Sequence, residues 1–427
     1  MRVTLIFCHV GVAGMNADRP YGDREGSWIG HGCASVGAAA KAAGYDVDLI
    51  DLRHLSDWSQ FEAKVKANPA DVYGISVSAV DHWHCMRAVL VLKRTVPNCK
   101  IIVGGIHPSI FPGQYDFAAI DSVVQGEGEI AFVDLLKMIE AGQELPKIYR
   151  GAKPDLGAIP WVDRELFDYK RELSCNFTPD QALPSVTMLA GRGCPFSCSY
   201  CQPAENAVFG NPYRLRSPEN VVAELSYLKG RFHYKSITFW DDTFTFRVKW
   251  IEEFCDLYEK ARIGTPIVAC SRADIICRNP GMIERLASIG VTWFVIGLES
   301  GSQRILDLIK KGTTVEQNIE AARICKANGI KVFGTYMLGL PTETEDEALA
   351  TINMIEKINP EHPSPFYFTP IPGTGIYDLC ESMDLILPET KTRTIERTNR
   401  FRPTIKGVNY KYIDRLMNGH RERHKGV

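Results

Sequence analysis

Three cysteines in one short segment have the spacing of a metal-binding loop. Residues 191–201 read Gly-Arg-Gly-Cys-Pro-Phe-Ser-Cys-Ser-Tyr-Cys, which places Cys194, Cys198 and Cys201 in a C-x3-C-x2-C pattern. Three thiolates on one tight loop can hold three irons of a cubane [4Fe–4S] cluster, and the fourth iron then lacks a protein ligand. An open metal position is where a substrate or cofactor can bind. The alternatives are a zinc knuckle or simply buried cysteines, although the segment offers no histidine as a fourth zinc ligand.

The residues around this segment, here called the cysteine loop, indicate what positions it. From residue 185 onward, short β-branched or aromatic runs alternate with helical segments. We predict six strands, at 185–190, 236–239, 267–271, 293–297, 331–337 and 365–368. We predict six helices, at 218–230, 248–261, 280–286, 302–309, 315–328 and 343–358. Six β/α repeats indicate a partial (β/α)6 barrel over residues 185–385, with its site at the carboxyl ends of the strands.

The cysteine loop resembles the radical S-adenosylmethionine (SAM) superfamily, whose signature is C-x3-C-x-aromatic-C. Cys194, Cys198, Tyr200 and Cys201 match it directly after the first barrel strand, and we count Tyr200 among the cofactor-binding residues. The resemblance implies that the open iron of a [4Fe–4S] cluster chelates the amino and carboxylate groups of SAM. An electron from the reduced cluster then cleaves the sulfonium, and a 5'-deoxyadenosyl radical abstracts hydrogen from the substrate. The protein would supply position and exclude water.

Four further barrel strand ends carry residues similar to SAM-binding positions of that family. The resemblance implies that Asp241 and Asp242 accept hydrogen bonds from the methionyl ammonium and that Arg272 pairs with the carboxylate in a fork. It also implies that Glu299 lies near the ribose and that the segment containing Leu338 lines the adenine. Each position has a structural alternative. These are a helix cap or solvated loop for the aspartates, a surface salt bridge for Arg272, a helix-capping turn for Glu299 and a plain β-to-α turn for Leu338.

A second alternation of strands and helices fills residues 1–142. We predict strands at 3–7, 45–52, 72–77, 100–103 and 121–124, and helices at 34–43, 55–68, 84–95 and 129–141. This pattern is typical of βαβ units around a parallel sheet. The fold class is therefore α/β, with an N-terminal doubly wound (Rossmann-like) domain followed by the barrel. Residues 143–184 are predicted to be a proline-containing linker, and the charged tail at 386–427 a solvated helix with a frayed end.

The first domain resembles the cobalamin-binding domain that precedes the barrel in one branch of the superfamily. Eight residues, all at strand ends where doubly wound sheets bind ligands, carry the assignment of cofactor binding: Ser76, Ser78, Gly104, Gly105, His107, Gln125, Gly126 and Glu127. The resemblance implies that these loops cradle the corrin ring and its nucleotide tail.

The chain lacks the D-x-H-x-x-G string of proteins that ligate cobalt through histidine. The resemblance therefore implies base-off cobalamin with no histidine ligand. His82, Trp83 and His84 follow the third strand and could face the lower side of the ring, or they could be a polar helix start with a packed aromatic. The alternative for the whole domain is a doubly wound module that has lost cobalamin and only shapes the substrate site.

The length and charge of the chain indicate which classes of substrate or partner it can bind. The 427 residues suit two or three domains, and the net charge of −2 gives no basic excess for a nucleic-acid partner. A small-molecule or peptide substrate fits better. The N-terminus reads as a strand rather than a signal peptide, and no transmembrane segment is predicted, so we expect a cytoplasmic protein. The resemblance further implies a flavodoxin- or ferredoxin-type electron donor.

Three functional hypotheses follow. The first is cobalamin-dependent radical methyl transfer to an unactivated carbon or phosphorus. The second uses the same cofactors for radical cyclisation, rearrangement or oxidation without methyl transfer. The third is a non-catalytic iron–sulfur sensor or scaffold, which needs the cluster but not SAM. The sequence identifies neither the substrate nor a catalytic acid, base or hydrogen donor.

Overall fold

Two units, each built on a parallel six-stranded sheet, make up the computed structural model, which describes residues 1–8, 28–78, 81–210, 213–391 and 402–423. The first unit holds Met1–Cys175 and Ala204–Gly210. The second holds Asn176–Pro203 and the described residues from 213 onward. No helix in the described ranges is both long and apolar enough to cross a membrane.

The first unit is a doubly wound domain. Its strands are β1 Arg2–Phe7, β2 Asp46–Asp51, β3 Val72–Ser76, β4 Lys100–Gly104, β5 Ser122–Val124 and β6 Ile148–Tyr149. Its helices are α1 His31–Ala42, α2 Trp58–Ala67, α3 His82–Thr95, α4 Ile106–Ile110, α5 Gly128–Glu140, α6 Tyr169–Leu173 and α7 Ala204–Phe209. The strand order in the sheet is β2-β1-β3-β4-β5-β6. From β1 the chain adds β2 on one side and β3 to β6 on the other, and doubly wound sheets bind ligands at the switch point between β1 and β3.

Alternation along the strands explains why helices cover both faces of this sheet. In β1, Ile6 packs with Phe61 of α2 and Cys85 of α3. Val3 and Leu5 point to the opposite face, where they join residues of α1 and α5. Because successive side chains of a strand alternate between faces, a nearly continuous apolar run is what a sheet covered on both sides requires. The predicted doubly wound fold class is confirmed.

The segment predicted to be a linker, 143–184, is divided between the two units. Ile148–Tyr149 adds a sixth parallel strand beside β5. Phe167 packs edge-on against Phe7 with 5.3 Å between ring centroids, and Arg164 forms a buried ion pair with Glu172 at 2.7 Å. Only the part from Asn176 onward belongs to the second unit. The proline-rich sequence of 143–184 did not predict these contacts because each of them involves only a few residues.

The second unit contains the predicted partial (β/α)6 barrel. Its main strands are β7 Ser185–Met188, β10 Ser236–Phe239, β11 Ile267–Ser271, β12 Val291–Glu299, β13 Lys331–Leu338 and β14 His362–Tyr367, in the order β14-β13-β12-β11-β10-β7. A short antiparallel ribbon joins β8 Gly191–Arg192 to β9 Arg214–Leu215. The helices are α8 Pro218–Phe232, α9 Val248–Lys260, α10 Ala273–Arg278, α11 Pro280–Ser288, α12 Gln303–Leu308, α13 Val315–Ala327, α14 Glu345–Ile358, α15 Gly375–Ser382, α16 Pro388–Lys391 and α17 Tyr410–Arg423.

The end of the chain differs from the predicted solvated helix. In α17, Ile413 and Met417 are each only 3% exposed, and the helix packs on α14. Asn409, just before α17, donates from Nδ2 to Glu345 Oε1 at 2.7 Å, and the Tyr367 hydroxyl bonds the Asp414 carboxylate. Two apolar residues four positions apart lie on one helix face. A pattern of two residues within a charged segment is too short to predict that the helix is buried.

Candidate functional site

The cysteine loop is anchored at its start by a buried carboxylate. Asp241, 2% exposed at the end of β10, accepts hydrogen bonds from the backbone N–H of Ala190 at 2.9 Å and of Gly191 at 2.6 Å. Glycine is required at 191 because a Cβ there would lie 2.7 Å from the Arg214 carbonyl oxygen across the ribbon. Gly193 has a φ of +83°, a conformation that suits glycine. These constraints turn the chain sharply into the cysteines.

The middle of the loop is a compact turn held from two sides. The Cys201 N–H donates to the Cys198 carbonyl at 3.0 Å, so these two cysteines share one turn. The Ser199 N–H donates to Ile309 at the end of α12, at 2.9 Å. The Ser199 carbonyl in turn accepts from Ile376 N–H in α15, also at 2.9 Å. The loop is thus fixed by backbone contacts to two separate helices of the second unit.

The three sulfurs differ in exposure: Cys198 is buried, Cys194 is half-buried and Cys201 is exposed. No three His, Cys, Asp or Glu side chains in the described ranges already form a group that could hold a metal ion. Assignment of the cysteines as cluster ligands therefore remains a prediction from their spacing and from the loop that carries them. The donor set itself, three soft thiols on one constrained loop, fits a cubane cluster that takes three protein ligands.

Arg272, the residue after β11, braces the cysteine loop from the barrel side. Arg272 is 5% exposed, and its guanidinium donates from Nη1 to Cys198 Sγ at 3.5 Å and from Nη2 to the Lys311 carbonyl at 2.6 Å. Nε donates to Asp274 at 3.0 Å, and the group lies 3.6 Å from the centroid of the Phe196 ring. The alternative of a surface salt bridge is therefore wrong. The predicted pairing of Arg272 with a cofactor carboxylate stays a prediction.

Glu299 is the centre of a buried polar triad. Its Oε1 accepts from the Tyr200 hydroxyl at 3.0 Å and from Lys311 Nζ at 2.9 Å, and Lys311 Nζ also donates to the Tyr200 oxygen at 3.0 Å. Glu299 has a φ of +61° at an irregularity in the pairing of β12 with β13. A bulge of this kind redirects a side chain. A Cβ on Gly297 would lie 2.2 Å from Glu299 Oε1, so the glycine makes room for the triad.

Lys311 was not among the predicted site residues. The sequence shows two adjacent lysines, and only the structure distinguishes exposed Lys310 from Lys311, which is 6% exposed. A signal was nevertheless present: a buried glutamate needs a compensating cation. The Lys311 carbonyl accepts a hydrogen bond from Arg272, and Lys311 Nζ donates to Glu299 and Tyr200. Lys311 therefore links the ends of β11 and β12 to the cysteine loop.

The remaining predicted SAM-binding residues have different surroundings. Asp242 is exposed next to the buried Asp241. Leu338 is fully buried at the end of β13, and its carbonyl accepts from Phe368 N–H at 2.8 Å. Both oxygens of Asp241 are used by backbone donors, so the first role of Asp241 in the structure is to position the loop. Cofactor contact remains a prediction for all three.

Asp241→Asn should test that positioning role. Burial, and to a lesser extent the charge of Asp242, raises the pKa of the Asp241 carboxyl to about 7, although its two N–H donors oppose the shift. Asparagine would place an NH2 donor where one Asp241 oxygen now accepts a backbone N–H, so one of the two hydrogen bonds would be lost. We expect the free energy of unfolding to fall by about 1–3 kcal/mol, measured by urea titration. Asp46→Asn, at an exposed aspartate of β2, is the control and should change it by less than about 0.5 kcal/mol; equal effects would contradict the role.

In the first unit, a glycine brings the loops after β3 and β4 together. Gly105 has a φ of +108°, and a Cβ on it would lie 2.7 Å from the Val77 carbonyl oxygen. The Val77 N–H donates to the Gly104 carbonyl at 2.9 Å. On the same edge, the Ser78 hydroxyl donates to the Asp81 carboxylate at 2.5 Å. Ser76, at the end of β3, has its hydroxyl 3.4 Å from the position of that Cβ. Only glycine allows this close approach.

The loop after β5 joins the same edge of the sheet. The Ser109 hydroxyl donates to the Gly105 carbonyl at 2.7 Å and accepts from Gly126 N–H at 3.0 Å. Gln125 donates from Nε2 to the Ser109 carbonyl at 3.1 Å, and buried Glu127 immediately precedes α5. All eight residues predicted to bind cobalamin thus lie along one edge, where doubly wound sheets bind ligands. Their individual contacts with the cofactor remain predictions.

Two histidines and a tyrosine form a polar cluster on this edge, in which His107 and Tyr115 are buried and His82 is half-buried. The hydroxyl oxygen of Tyr115, which is fully buried, lies 2.7 Å from His107 Nδ1 and 3.0 Å from His82 Nδ1. Burial, and then the neighbouring His82, lowers the pKa of His107 to about 4. Burial also lowers the pKa of His82. Both imidazoles are therefore neutral near pH 7.

Stability should fall in acid because of this cluster. Between pH 6.5 and about 4 the unfolded chain protonates His107 while the folded chain does not, so the free energy of unfolding decreases as the pH falls through this window. The shift corresponds to a loss of up to about 3 kcal/mol at pH 4. Urea titrations at pH 7 and pH 5 should show a smaller acid loss for His107→Gln than for wild type. His233→Gln, at an exposed histidine, should retain the wild-type loss; if all three proteins lose the same amount, the assignment is wrong.

Comparison with known families gives two matches. The model of the Radical SAM superfamily matches residues 188–355, a span that contains the cysteine loop and the triad. The model of the B12 binding domain matches residues 22–136, which contain the β3, β4 and β5 loops. Their order along the chain is the order of the two sheets.

Two relatives align with most of this chain. A protein of Pyrococcus horikoshii described as an uncharacterized methyltransferase is 28% identical over 80% of this chain and 76% of its own length. The anaerobic magnesium-protoporphyrin IX monomethyl ester cyclase of Rubrivivax gelatinosus is 25% identical over 82% of this chain and 66% of its own length.

Two solved structures share the fold. The cobalamin-dependent SAM radical enzyme OxsB superposes with a TM-score of 0.76 at 17% identity, covering 98% of this chain and 66% of the OxsB chain. The radical SAM methyltransferase TsrM from Kitasatospora setae superposes with a TM-score of 0.67 at 16% identity, covering 90% of this chain and 76% of its own. The chain therefore combines a B12-binding domain with a radical SAM domain that follows it.

Proposed function

We propose that this enzyme is a cobalamin-dependent radical SAM methyltransferase that acts on an unactivated carbon or phosphorus of a small-molecule or peptide substrate. The observation that carries the proposal is the presence in one chain of the cysteine loop and the glycine-lined edge of the first sheet. The relative described as a methyltransferase supports it. The match to the Radical SAM superfamily model favours an enzyme over the sensor or scaffold hypothesis.

The residues that would hold the three groups follow from the site. Cys194, Cys198 and Cys201 would ligate the [4Fe–4S] cluster. The SAM side would be formed by Tyr200, Asp241, Asp242, Arg272, Glu299 and Leu338. Cobalamin, base-off and with no histidine ligand, would lie over the eight residues of the first sheet's edge. When bound, the cluster and corrinoid supply reductive cleavage of SAM and carriage of a methyl group.

This chain's own residues prepare the environment of the cysteine loop. Arg272 and Lys311 place two buried cations near the Cys198 turn, which offsets the negative charge that a thiolate set brings. On the other side, Tyr200 packs against an apolar cluster that includes Met337, Leu340 and Ile376. An apolar wall excludes water from reactive species, and fixed dipoles in a dry site act at close to full strength. The physiological electron donor would be of the flavodoxin or ferredoxin type, in the cytoplasm.

A second candidate function is radical cyclisation, rearrangement or oxidation without methyl transfer. The 25% identical cyclase of Rubrivivax gelatinosus favours this candidate. The two candidate reactions differ in the SAM that they consume and in the products that they release. Methyl transfer consumes two SAM and two electrons for each substrate C–H. It yields one methylated product, one methionine, one 5'-deoxyadenosine and one S-adenosylhomocysteine. Cyclisation requires no S-adenosylhomocysteine.

The test is anaerobic incubation of cobalamin-reconstituted enzyme with trideuteromethyl-labelled SAM and a chemical reductant. The proposal predicts 5'-deoxyadenosine together with S-adenosylhomocysteine, the latter only in corrinoid-loaded protein. Mass spectrometry quantifies both products. Formation of 5'-deoxyadenosine alone, at the same rate with and without corrinoid, would reject methyl transfer in favour of the second candidate. Cys198→Ala is the control that should yield neither product above background.

A further inference from the structure

The cluster formed by His82, Tyr115 and His107 has two contacts at the Tyr115 hydroxyl, which has a single proton to donate. One phenol hydroxyl lies within hydrogen-bond distance of two imidazole Nδ1 atoms, at 2.7 Å for His107 and 3.0 Å for His82. Tyrosine carries one proton and can donate only once. If both contacts are hydrogen bonds, one ring must donate to the tyrosine oxygen from a protonated Nδ1. When Tyr115 donates its proton to one ring and the other ring donates to the Tyr115 oxygen, the two neutral rings are opposite tautomers.

The two distances indicate which ring is which. Bonds donated by a hydroxyl are shorter, near 2.7–2.8 Å, than those donated by an N–H, near 2.9–3.0 Å. The shorter contact is thus assigned to Tyr115 O–H donating to His107, and the longer one to His82 Nδ1–H donating to Tyr115. His107 then carries its proton on Nε2, whereas Nε2 of His82 carries a lone pair. A neutral imidazole has one donor and one acceptor nitrogen.

The cluster lies where a ligand would meet it. His82 is the first residue of α3 after the β3 loop, and His107 is in α4 after β4. The two ring centroids are 5.3 Å apart. Within the described ranges no further hydrogen bond of either ring is found, and neither Nε2 is a buried atom without a partner. With the tautomers assigned above, His107 offers an Nε2 donor and His82 an Nε2 acceptor at this sheet edge.

We infer that His82 and His107, set as opposite tautomers by Tyr115, form a binding site for a primary carboxamide. A carboxamide has a carbonyl oxygen that accepts and an NH2 group that donates, so His107 Nε2–H and the His82 Nε2 lone pair satisfy it together. An ionised carboxylate only accepts and would leave the His82 lone pair unpaired. The inference rests on the proposed function, because the ligand that carries such groups is the corrin ring with its amide side chains. Tyr115 acts as a positioning residue.

The first arm of the test reads the tautomers without any ligand. Protein labelled with 15N-histidine, compared with His82→Gln and His107→Gln for assignment, should give one ring protonated at Nδ1 and one at Nε2 at pH 7. The Nδ1-protonated signal should belong to His82. Two Nε2-protonated rings in wild type would overturn the tautomer assignment. This arm uses folded wild-type protein and does not depend on whether a Tyr115 variant folds.

The second arm measures corrinoid affinity by absorbance. The probes are hydroxocobalamin and its derivatives in which one side-chain amide is hydrolysed to a carboxylate. We expect wild type to bind one derivative roughly tenfold more weakly than hydroxocobalamin, and Tyr115→Phe to discriminate several-fold less. Tyr149→Phe, whose hydroxyl instead bonds Asp134, should discriminate like wild type. Equal binding of all derivatives by wild type would overturn the carboxamide site while leaving the proposed function standing. Protein that binds no corrinoid would reject both the proposed function and the ligand assignment.

Discussion

Cys198→Ala should lose its iron and its ability to cleave SAM. Cys198 is the buried cysteine of the loop, and its turn is fixed by the contacts of Ser199 and Arg272. A cluster held by two thiolates is much weaker than one held by three. Changes merely next to metal ligands already cost about 10–100-fold in affinity or activity, so removing a ligand should cost roughly 100-fold or more. The measurements are iron per chain after anaerobic reconstitution and reductant-dependent 5'-deoxyadenosine.

The matched control is Cys255→Ala. Cys255 is also fully buried, but it lies on α9 beside Phe254. This variant should retain both iron and cleavage, at a modest cost in stability. If Cys198→Ala retained wild-type iron and cleavage, the assignment of the cysteine loop as the cluster site would be wrong. If Cys255→Ala lost as much iron as Cys198→Ala, the loss would reflect general destabilisation instead.

Lys311→Met should produce the largest loss of stability of any single change in the triad. Among the residues that the structure describes, it leaves the Glu299 carboxylate, on a residue that is 5% exposed, with the Tyr200 hydroxyl as its one hydrogen-bonding side-chain partner. Removing one member of a buried ion pair costs about 3–5 kcal/mol because the other charge stays buried. Methionine keeps the length of the lysine stem, so lost packing contributes little. The free energy of unfolding from urea titration measures the effect.

The adjacent Lys310→Met is the control. Lys310 is exposed, and its substitution should change the free energy of unfolding by less than about 0.5 kcal/mol. The double variant Lys311→Met with Glu299→Gln should recover part of the loss, because no unpaired charge remains and the glutamine oxygen still accepts from Tyr200. Equal effects at 310 and 311, or no recovery in the double variant, would contradict the structural account of the triad.

The sequence predicted the barrel and the doubly wound sheet because their strands are strong local signals. The predicted strands at 267–271 and 236–239 coincide with β11 and β10. The ribbon of β8 and β9 has two residues on each side, too short for any periodicity. The burial of α17 depends on two apolar residues in a charged segment. Both features arise from tertiary contacts that a window of sequence does not contain.

The same distinction applies to the site. Cysteine spacing and strand ends identified Arg272 and Glu299 as important, but the partners of these side chains are distant in sequence. Lys311 Nζ reaches Tyr200 across 111 residues. Tyr115 follows Pro112 and Gly113 in a segment without a recognised pattern, and only its position between two imidazoles gives it a role. Long-range polar partners are what the sequence alone could not supply.

The proposed function requires that one chain bind both an iron–sulfur cluster and a corrinoid. The most direct measurement is anaerobic reconstitution with iron, sulfide and hydroxocobalamin, desalting, and quantification of the retained metals with the visible spectrum. The account predicts about four irons and about one corrinoid per chain, with a broad iron–sulfur shoulder beneath corrinoid bands. Retained iron without corrinoid would preserve SAM cleavage but contradict cobalamin-dependent methyl transfer, and loss of both would contradict the account as a whole.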